Sequence, residues 1–420
     1  MKTEWLLHRK FVKFLRADCK KIKSMKKLLF VILMLFSLLS FAQETKVLAP
    51  TPPMGWNSWN WFGKNDINEK VALECMDAMV DEGLLDAGYQ YFVIDGGWRD
   101  THLNEKGELL AHPEKFPHGI KFLADYAHSR GLKFGLHTVP GTNDCGGDKV
   151  GGYGHEKIQV QEFVRWGLDF IKLDRCQFSS GWNEELIKKT YEKWHNLFLN
   201  SGRDIILNIS AYKFRVWNPQ ICQMSRTTGD IGCKSNKELR FQDTPKGHRR
   251  YNSVMAVAEE NNKYRKFAGN GYWNDPDMLV VGNPGLTIEE QKIHFALWCI
   301  MTSPLFLGND PRKITPEEKA IITNGLAISI DQDPTEQGGR VKKEGHSEIW
   351  MKKLRDGSRA VLLLNRDSVK SHKIQISLKE IGLSGKRKVI DVYNEKCLGN
   401  NFKSVSKKIQ PQSGLFLLIK

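Results

Sequence analysis

Phe170-Ile171-Lys172-Leu173-Asp174-Arg175-Cys176 is the stretch on which the fold turns: an apolar, strand-like run that ends on an aspartate and leads into polar sequence. In a (β/α)8 barrel the reactive groups sit at the C-terminal ends of short parallel strands, so a strand closed by a carboxylate reads as one stave of such a barrel. Further strand-like segments are predicted over 91–94, 133–136, 205–209 and 305–307. Between them, apolar residues three and four apart predict helices over 68–82, 119–130, 159–167 and 289–301. This alternation implies a parallel sheet, because parallel neighbours need a crossover connection.

The pattern changes near Asp331-Gln332-Asp333-Pro334. Beyond it, short runs at 347–351, 359–364, 373–376 and 414–419 are separated by turn residues and read as antiparallel strands. The expected fold class is therefore α/β: a (β/α)8 TIM barrel over 43–332, followed by a C-terminal antiparallel β-sandwich domain over 333–420.

Lys26-Lys27 precede a nearly uninterrupted apolar stretch, 28–41, and Ser40-Phe41-Ala42 has the small-x-small spacing of a signal-peptidase site. Residues 1–42 thus read as a signal-peptide region with Gln43 as the mature N-terminus. Met25-Lys26-Lys27 is itself a complete signal-peptide start, so Met25 is a candidate for the true translation start. The apolar stretch is short for a bilayer and none comparable follows, so the mature chain is expected to be exported, periplasmic or extracellular, with no membrane span. Cleavage would remove ten Lys/Arg and two Asp/Glu, lowering the formal charge from +15 to about +7. No nucleic-acid partner is implied, since the lysines beyond 342 flank strand-like runs with few aromatic residues among them.

Seven of the eight cysteines lie beyond this leader, an odd and widely spaced set that suits neither a dense disulfide framework nor a zinc pattern. Cys145 and Cys176 each follow a predicted strand end, where a bridge between neighbouring barrel loops is expected. No metal or cofactor is expected either: the chain has no His-Glu-x-x-His, P-loop or Gly-x-Ser-x-Gly.

The remaining signals are carboxylates at strand ends. Asp95 closes 92–94, Asp174 closes 171–173, Arg226 and Asp230 follow 221–224, and Asp275 and Asp277 lie in Trp273-Asn274-Asp275-Pro276-Asp277-Met278. A lone strand-end aspartate is more often an ion-pair partner than a catalyst; an ordered set of them favours glycosidase chemistry, which needs only a pair of carboxyl groups.

Pro53-Met54-Gly55-Trp56-Asn57-Ser58-Trp59, Lys172-Leu173-Asp174-Arg175-Cys176, Trp273 to Met278, and Asn309-Asp310 through Asp331-Gln332-Asp333-Pro334 together resemble glycoside hydrolase family 27, which contains α-galactosidases and α-N-acetylgalactosaminidases. The resemblance covers nearly all of the chain beyond the leader. It implies that Asp174 is the nucleophile and Asp230 the general acid/base of a retaining mechanism. It makes Trp59 a sugar-binding aromatic and places Asp95 on the far side of the sugar, with Asp277 a further site carboxylate. Lys172, two residues before Asp174 on the same strand face, can keep that carboxylate ionised, and Arg226 can act likewise from the other side. His137 reads as pocket lining or as a satisfied structural histidine.

Two positions depart from the family pattern. Gly96 stands where a second aspartate is usual, and Ser210-Ala211 stand near where galactosidases carry a glutamate close to the sugar 2-position, as in the acetamidogalactosidase version. The expected activity is retaining exo-hydrolysis of terminal α-linked galactose from an oligosaccharide or glycan. The enzymatic alternatives are α-N-acetylgalactosaminidase and β-L-arabinopyranosidase; the non-enzymatic one is an inactive carbohydrate-binding homologue.

Overall fold

The computed structural model describes residues 47–178, 181–243 and 250–420. The proposed leader and its cleavage site lie outside the described residues. Eight parallel strands form the first sheet: β1 (Met54–Asn57), β2 (Tyr91–Ile94), β3 (Lys133–Thr138), β4 (Phe170–Asp174), β5 (Ile206–Ser210), β6 (Met224–Arg226), β7 (Trp273–Asp275) and β8 (Leu305–Leu307). They follow one another in order, with β8 returning beside β1. The ring closes just past β7, where Leu279 donates its N–H to Phe306 O at 2.7 Å and accepts from Gly308 N at 2.9 Å.

Helices lie between the strands, among them Glu69–Asp81, Gly119–Ser129, Glu156–Trp166, Glu184–Leu199 and Ile288–Ile300. Their starts are written locally. Asn68 caps the first on Val71 N–H, Asn183 caps the fourth on Leu186 N–H, and Thr287 with Glu290 forms a reciprocal capping box on the last. The helix predicted from 159 begins at Glu156, because its first turn buries the polar residues Glu156 and Gln159, and Glu156 is neutralised by Lys193 at 2.8 Å. Apolar periodicity does not register such a turn.

Side-chain alternation sorts the barrel interior into layers. Tyr91, Phe170 and Phe306 fill its lower level, with ring centroids 5.1 to 6.4 Å apart. Gly55 and Gly135 face the same space: a Cβ on Gly55 would lie 2.9 Å from the Phe306 ring, and one on Gly135 would lie 2.8 Å from Phe170 Cβ. Two residues further along β1, β3 and β4 the interior turns polar, at Asn57, His137 and Lys172, and two further along β4 it reaches Asp174. β1, β6 and β7, which apolar patterning did not identify as strands, are three or four residues long and end on Asn57, Arg226 and Asp275 in that polar level.

The C-terminal part holds a six-stranded antiparallel sheet in the order β14 (Lys396–Phe402), β13 (Arg387–Asp391), β16 (Ser413–Ile419), β11 (Arg359–Asn365), β10 (Ser347–Lys353), β9 (Gly339–Glu344), with β12 (His372–Ser377) paired to β15 (Ser404–Ile409). The central strand β11 is buried on both faces. Leu362 and Leu364 join the barrel's core, whereas Val361 and Leu363 pack with Ile374, Ile376 and Val405 into a second core. No helix among the described residues is long and apolar enough to cross a membrane.

Candidate active site

Three inward residues of β4, at alternate positions, carry the chain from core to chemistry: Phe170, Lys172 and Asp174. Lys172 Nζ donates to Asp95 Oδ2 at 2.7 Å, and the same oxygen accepts from Asn57 Nδ2 at 3.0 Å, while Gly96 N–H donates to Oδ1 at 2.8 Å. Burial alone would raise the Asp95 carboxyl; Lys172, by its charge and its hydrogen bond, and the Gly96 N–H outweigh it and hold Asp95 well below the usual carboxylate range. Burial also opposes the charge on Lys172, but Asp95 and Asp174 raise its pKa above normal.

Asp174 is buried at 6% exposure. Its Oδ1 accepts the Arg175 N–H at 2.6 Å, and its Oδ2 lies 3.2 Å from His137 Nε2. Burial and the nearby Asp174 charge raise the pKa of the Tyr212 phenol. Burial pushes the Asp174 carboxyl up, yet the His137 hydrogen bond and the Lys172 charge more than compensate, and its pKa is lowered. Ser210 sits directly across from Asp174 in the β4–β5 register and is fully buried; its hydroxyl has no protein partner among the described residues.

On the other side, Arg226 Nη2 lies 2.9 Å from Asp277 Oδ2 and 3.2 Å from Asp230 Oδ1. The Asp230 side chain is 40% exposed, against 4% for Asp277. Asp277 adopts φ +100°, sparsely populated for a side-chain-bearing residue, and is held there from three directions: its N–H donates to Asp275 Oδ1, and its own carboxylate accepts from Ile231 and Met278 N–H. Burial pushes the Asp277 carboxyl up to about 6 against the pull of Arg226, with Asp230 adding to the rise.

Trp59 follows β1 on the short helix Trp59–Phe62 and is partly buried, its N–H bound by Asn57 Oδ1. A Cβ placed on Gly96 would lie 3.2 Å from its ring, so position 96 faces the tryptophan. A small space of about 20 Å³ is lined by Asn57, Lys172, Asn208, Arg226, Asp275 and Asp277 among others, room for about one water. Cys145 and Cys176 form a disulfide that ties the loop after β3 to the end of β4. Cys75, Cys222, Cys233 and Cys299 are buried and free, and Cys397 is exposed and free.

The sequence-predicted residues therefore collect at one end of the barrel, in two ionic groups: Asp95, His137, Lys172 and Asp174 with Ser210 adjoining, and Arg226, Asp230 and Asp277. Sequence reasoning missed Asn57, Arg99, Asn208 and Tyr212. Asn57 lies within the motif around Trp56, and Tyr212 and Arg99 follow the predicted strand ends closely enough to have been considered. Tyr212 is the less readable of the two, because it reaches Asp174 through a left-handed backbone conformation, φ +59°.

A closed eight-stranded barrel whose mouth gathers a buried, ionised aspartate and a second, exposed one has the parts of a glycoside hydrolase. Residues 51–333 match the family profile described as alpha galactosidase A, and residues 344–419 match that of the alpha galactosidase C-terminal beta sandwich domain. The chain is 38% identical over 340 residues to an alpha-galactosidase of Cyamopsis tetragonoloba, covering 80% of this chain and 77% of that protein. It is 33% identical over 386 residues to an alpha-N-acetylgalactosaminidase of Gallus gallus, covering 84% and 90%. The crystal structure of a putative alpha-galactosidase/melibiase from Bacteroides fragilis superposes with a TM-score of 0.81 at 34% identity, covering 89% of this chain and 80% of that one. The chain belongs to the alpha-galactosidase family, glycoside hydrolase family 27.

Proposed function

We propose that this chain is a retaining exo-glycosidase that releases terminal α-linked galactose from an oligosaccharide or glycan, with Asp174 as nucleophile and Asp230 as general acid/base. The observation that carries the assignment is the contrast between the two aspartates. Asp174 is buried and fixed by a main-chain N–H and the His137 side chain, which suits a group that must be ionised and aimed. Asp230 is part-exposed beside an arginine it shares with Asp277, which suits a group that must give up and recover a proton. In the first step Asp174 attacks the anomeric carbon while Asp230 protonates the leaving oxygen. In the second, Asp230 deprotonates the water that releases the sugar. Trp59 offers the pyranose an apolar face, and Asp95, held ionised by Lys172, accepts from sugar hydroxyls. The proposed catalytic unit is 43–332 with a sandwich unit at 333–420, and the proposed leader 1–42 would export it.

A second substrate reading rests on position 210. Ser210 and Ala211 are small, and room at the sugar 2-position would suit an N-acetylgalactosaminide. Gly96 bears on the other end of the sugar, where a β-L-arabinopyranoside needs no grip on C6. Aryl α-galactoside, α-N-acetylgalactosaminide and β-L-arabinopyranoside compared at equal concentration decide among them. Highest kcat/KM on the α-galactoside is expected; a preference for either other sugar would move the substrate assignment, and no hydrolysis of any would leave a binding protein.

A further inference from the structure

His137, on β3, is sandwiched between the Asp174 carboxylate and a buried arginine that the chemistry above does not use. Arg99, in the loop after β2, is 7% exposed. Its Nη2 lies 3.1 Å from His137 Nδ1 and donates to the His137 carbonyl at 3.2 Å, while the Trp98 indole N–H donates to the same carbonyl at 2.8 Å. A guanidinium has donors and no acceptor. The nitrogen it faces must therefore accept, which leaves Nδ1 without a proton and puts the ring's proton on Nε2. Nε2 is the atom 3.2 Å from Asp174 Oδ2.

We propose that Arg99 is a positioning residue for glycoside hydrolysis, acting through His137: by occupying Nδ1 it fixes the Nε2–H tautomer and so supplies the nucleophile with a directed hydrogen-bond donor. The inference rests on Asp174 being that nucleophile. The other charged groups around the ring are Asp95 and Lys172, its register partner on β4, with the Cys145–Cys176 disulfide close by. Asp95 and Asp174 would both welcome a second proton on the imidazole; Arg99 opposes it, because that proton would point into the guanidinium. Burial lowers the Arg99 pKa to about 10, against the pull of Asp144, Asp95 and Asp174, and the side chain still carries its charge at neutral pH. A singly protonated His137 gives a hydrogen bond without a full counter-charge, which keeps Asp174 aimed while leaving its negative charge available for attack.

The test combines a spectroscopic readout with a rescue. In protein labelled with 15N-histidine, His137, assigned by its loss in His137→Gln, is expected to show a protonated Nε2 and a bare Nδ1. In Arg99→Met, Nδ1 is expected to give the signal of a protonated nitrogen, and kcat/KM to fall by at least about 10-fold, the scale of one charge-assisted hydrogen bond. A glutamine at 137 keeps an N–H near the Nε2 position and cannot tautomerise, so adding Arg99→Met to His137→Gln should cost less than about 3-fold more, within the additivity expected of uncoupled sites. A protonated Nδ1 in the unsubstituted protein, or an equal loss from Arg99→Met in both backgrounds, would overturn the proposal. Failure of the enzyme reading is separable: it would leave the tautomer signature intact in a protein that hydrolyses none of the three aryl glycosides.

Discussion

The two sides of the barrel mouth hold their aspartates in opposite ways. On the β2–β4 side, Asp174 and Asp95 are buried and most of their lone pairs are taken by Lys172, His137, Asn57 and main-chain N–H groups. On the β6–β7 side, one guanidinium serves two carboxylates of unequal exposure, Asp277 within and Asp230 at the surface. Both sides place ionic residues above an aromatic floor, and the difference lies in Asp230, which is part-exposed and shares its one arginine, whereas Asp174 is buried and held by a main-chain N–H and His137. A buried carboxylate held by fixed donors suits a standing negative charge and one open to solvent suits proton exchange, the division of labour proposed for Asp174 and Asp230.

The largest effect on this contrast is expected from Asp174→Asn. The amide is nearly isosteric but cannot form the glycosyl-enzyme, so kcat should fall on the order of 10⁴-fold or more while galactose still binds by calorimetry. Appreciable turnover in a pure, folded variant would remove Asp174 from its role. Asp230→Ala should cost roughly 10²- to 10⁴-fold on an oligosaccharide and much less on an aryl galactoside whose leaving group needs no proton. Because Asp230 is part-exposed, its loss should shift unfolding free energy by no more than about 0.5 kcal/mol. Equal losses on both substrates would contradict the acid assignment.

Arg226→Met sharpens the comparison from the other direction. It strands Asp277 in the interior without its cation, and urea unfolding should report a loss of about 3 to 5 kcal/mol. A loss below about 1 kcal/mol would mean that Asp277 is neutral or otherwise supported. Gly96→Asp adds a carboxylate facing Trp59. A charged hydrogen bond there is worth about 1.5 to 3 kcal/mol, so kcat/KM on the α-galactoside should rise relative to the β-L-arabinopyranoside, less whatever the 3.2 Å approach to the ring costs. An unchanged ratio in a folded variant would show that position 96 does not reach the sugar.

The last expected effect is one of pH. The Asp277 carboxyl is raised from 3.8 to about 6, so in the folded protein it keeps a proton that the unfolded chain has released. Its contribution to stability is present below pH 3.8 and is lost as pH rises through about 6. Compared with Asp277→Asn, the unsubstituted protein should lose stability across that window. Parallel pH–stability curves for the two proteins would contradict the shift.

How much of this was legible depends on what each residue had to do. Strands β2, β4 and β5 declare themselves because their apolar residues face helices and floor, and the aspartates that end β2 and β4 are visible as the first polar break. β6 and β7 do not, because Arg226 and Asp275 interrupt runs too short to show a period. Asp277 was readable as a motif residue, but its strained backbone and shared cation were not, since both depend on how the chain after β7 meets Arg226 and Ile231 at and beyond the end of β6. His137 illustrates the limit most clearly. Sequence left it between pocket and structure, and the choice rests on Arg99, whose side chain meets it only across the turn of the barrel.

The most direct test of the central assignment is to trap the covalent intermediate. Incubation with a slowly hydrolysed 2-fluoro-substituted galactosyl donor carrying a good leaving group, followed by proteolysis and mass spectrometry, should place one glycosyl ester on Asp174. An ester on Asp230 or Asp277, or a first-released galactose of inverted configuration with no ester formed, would contradict it.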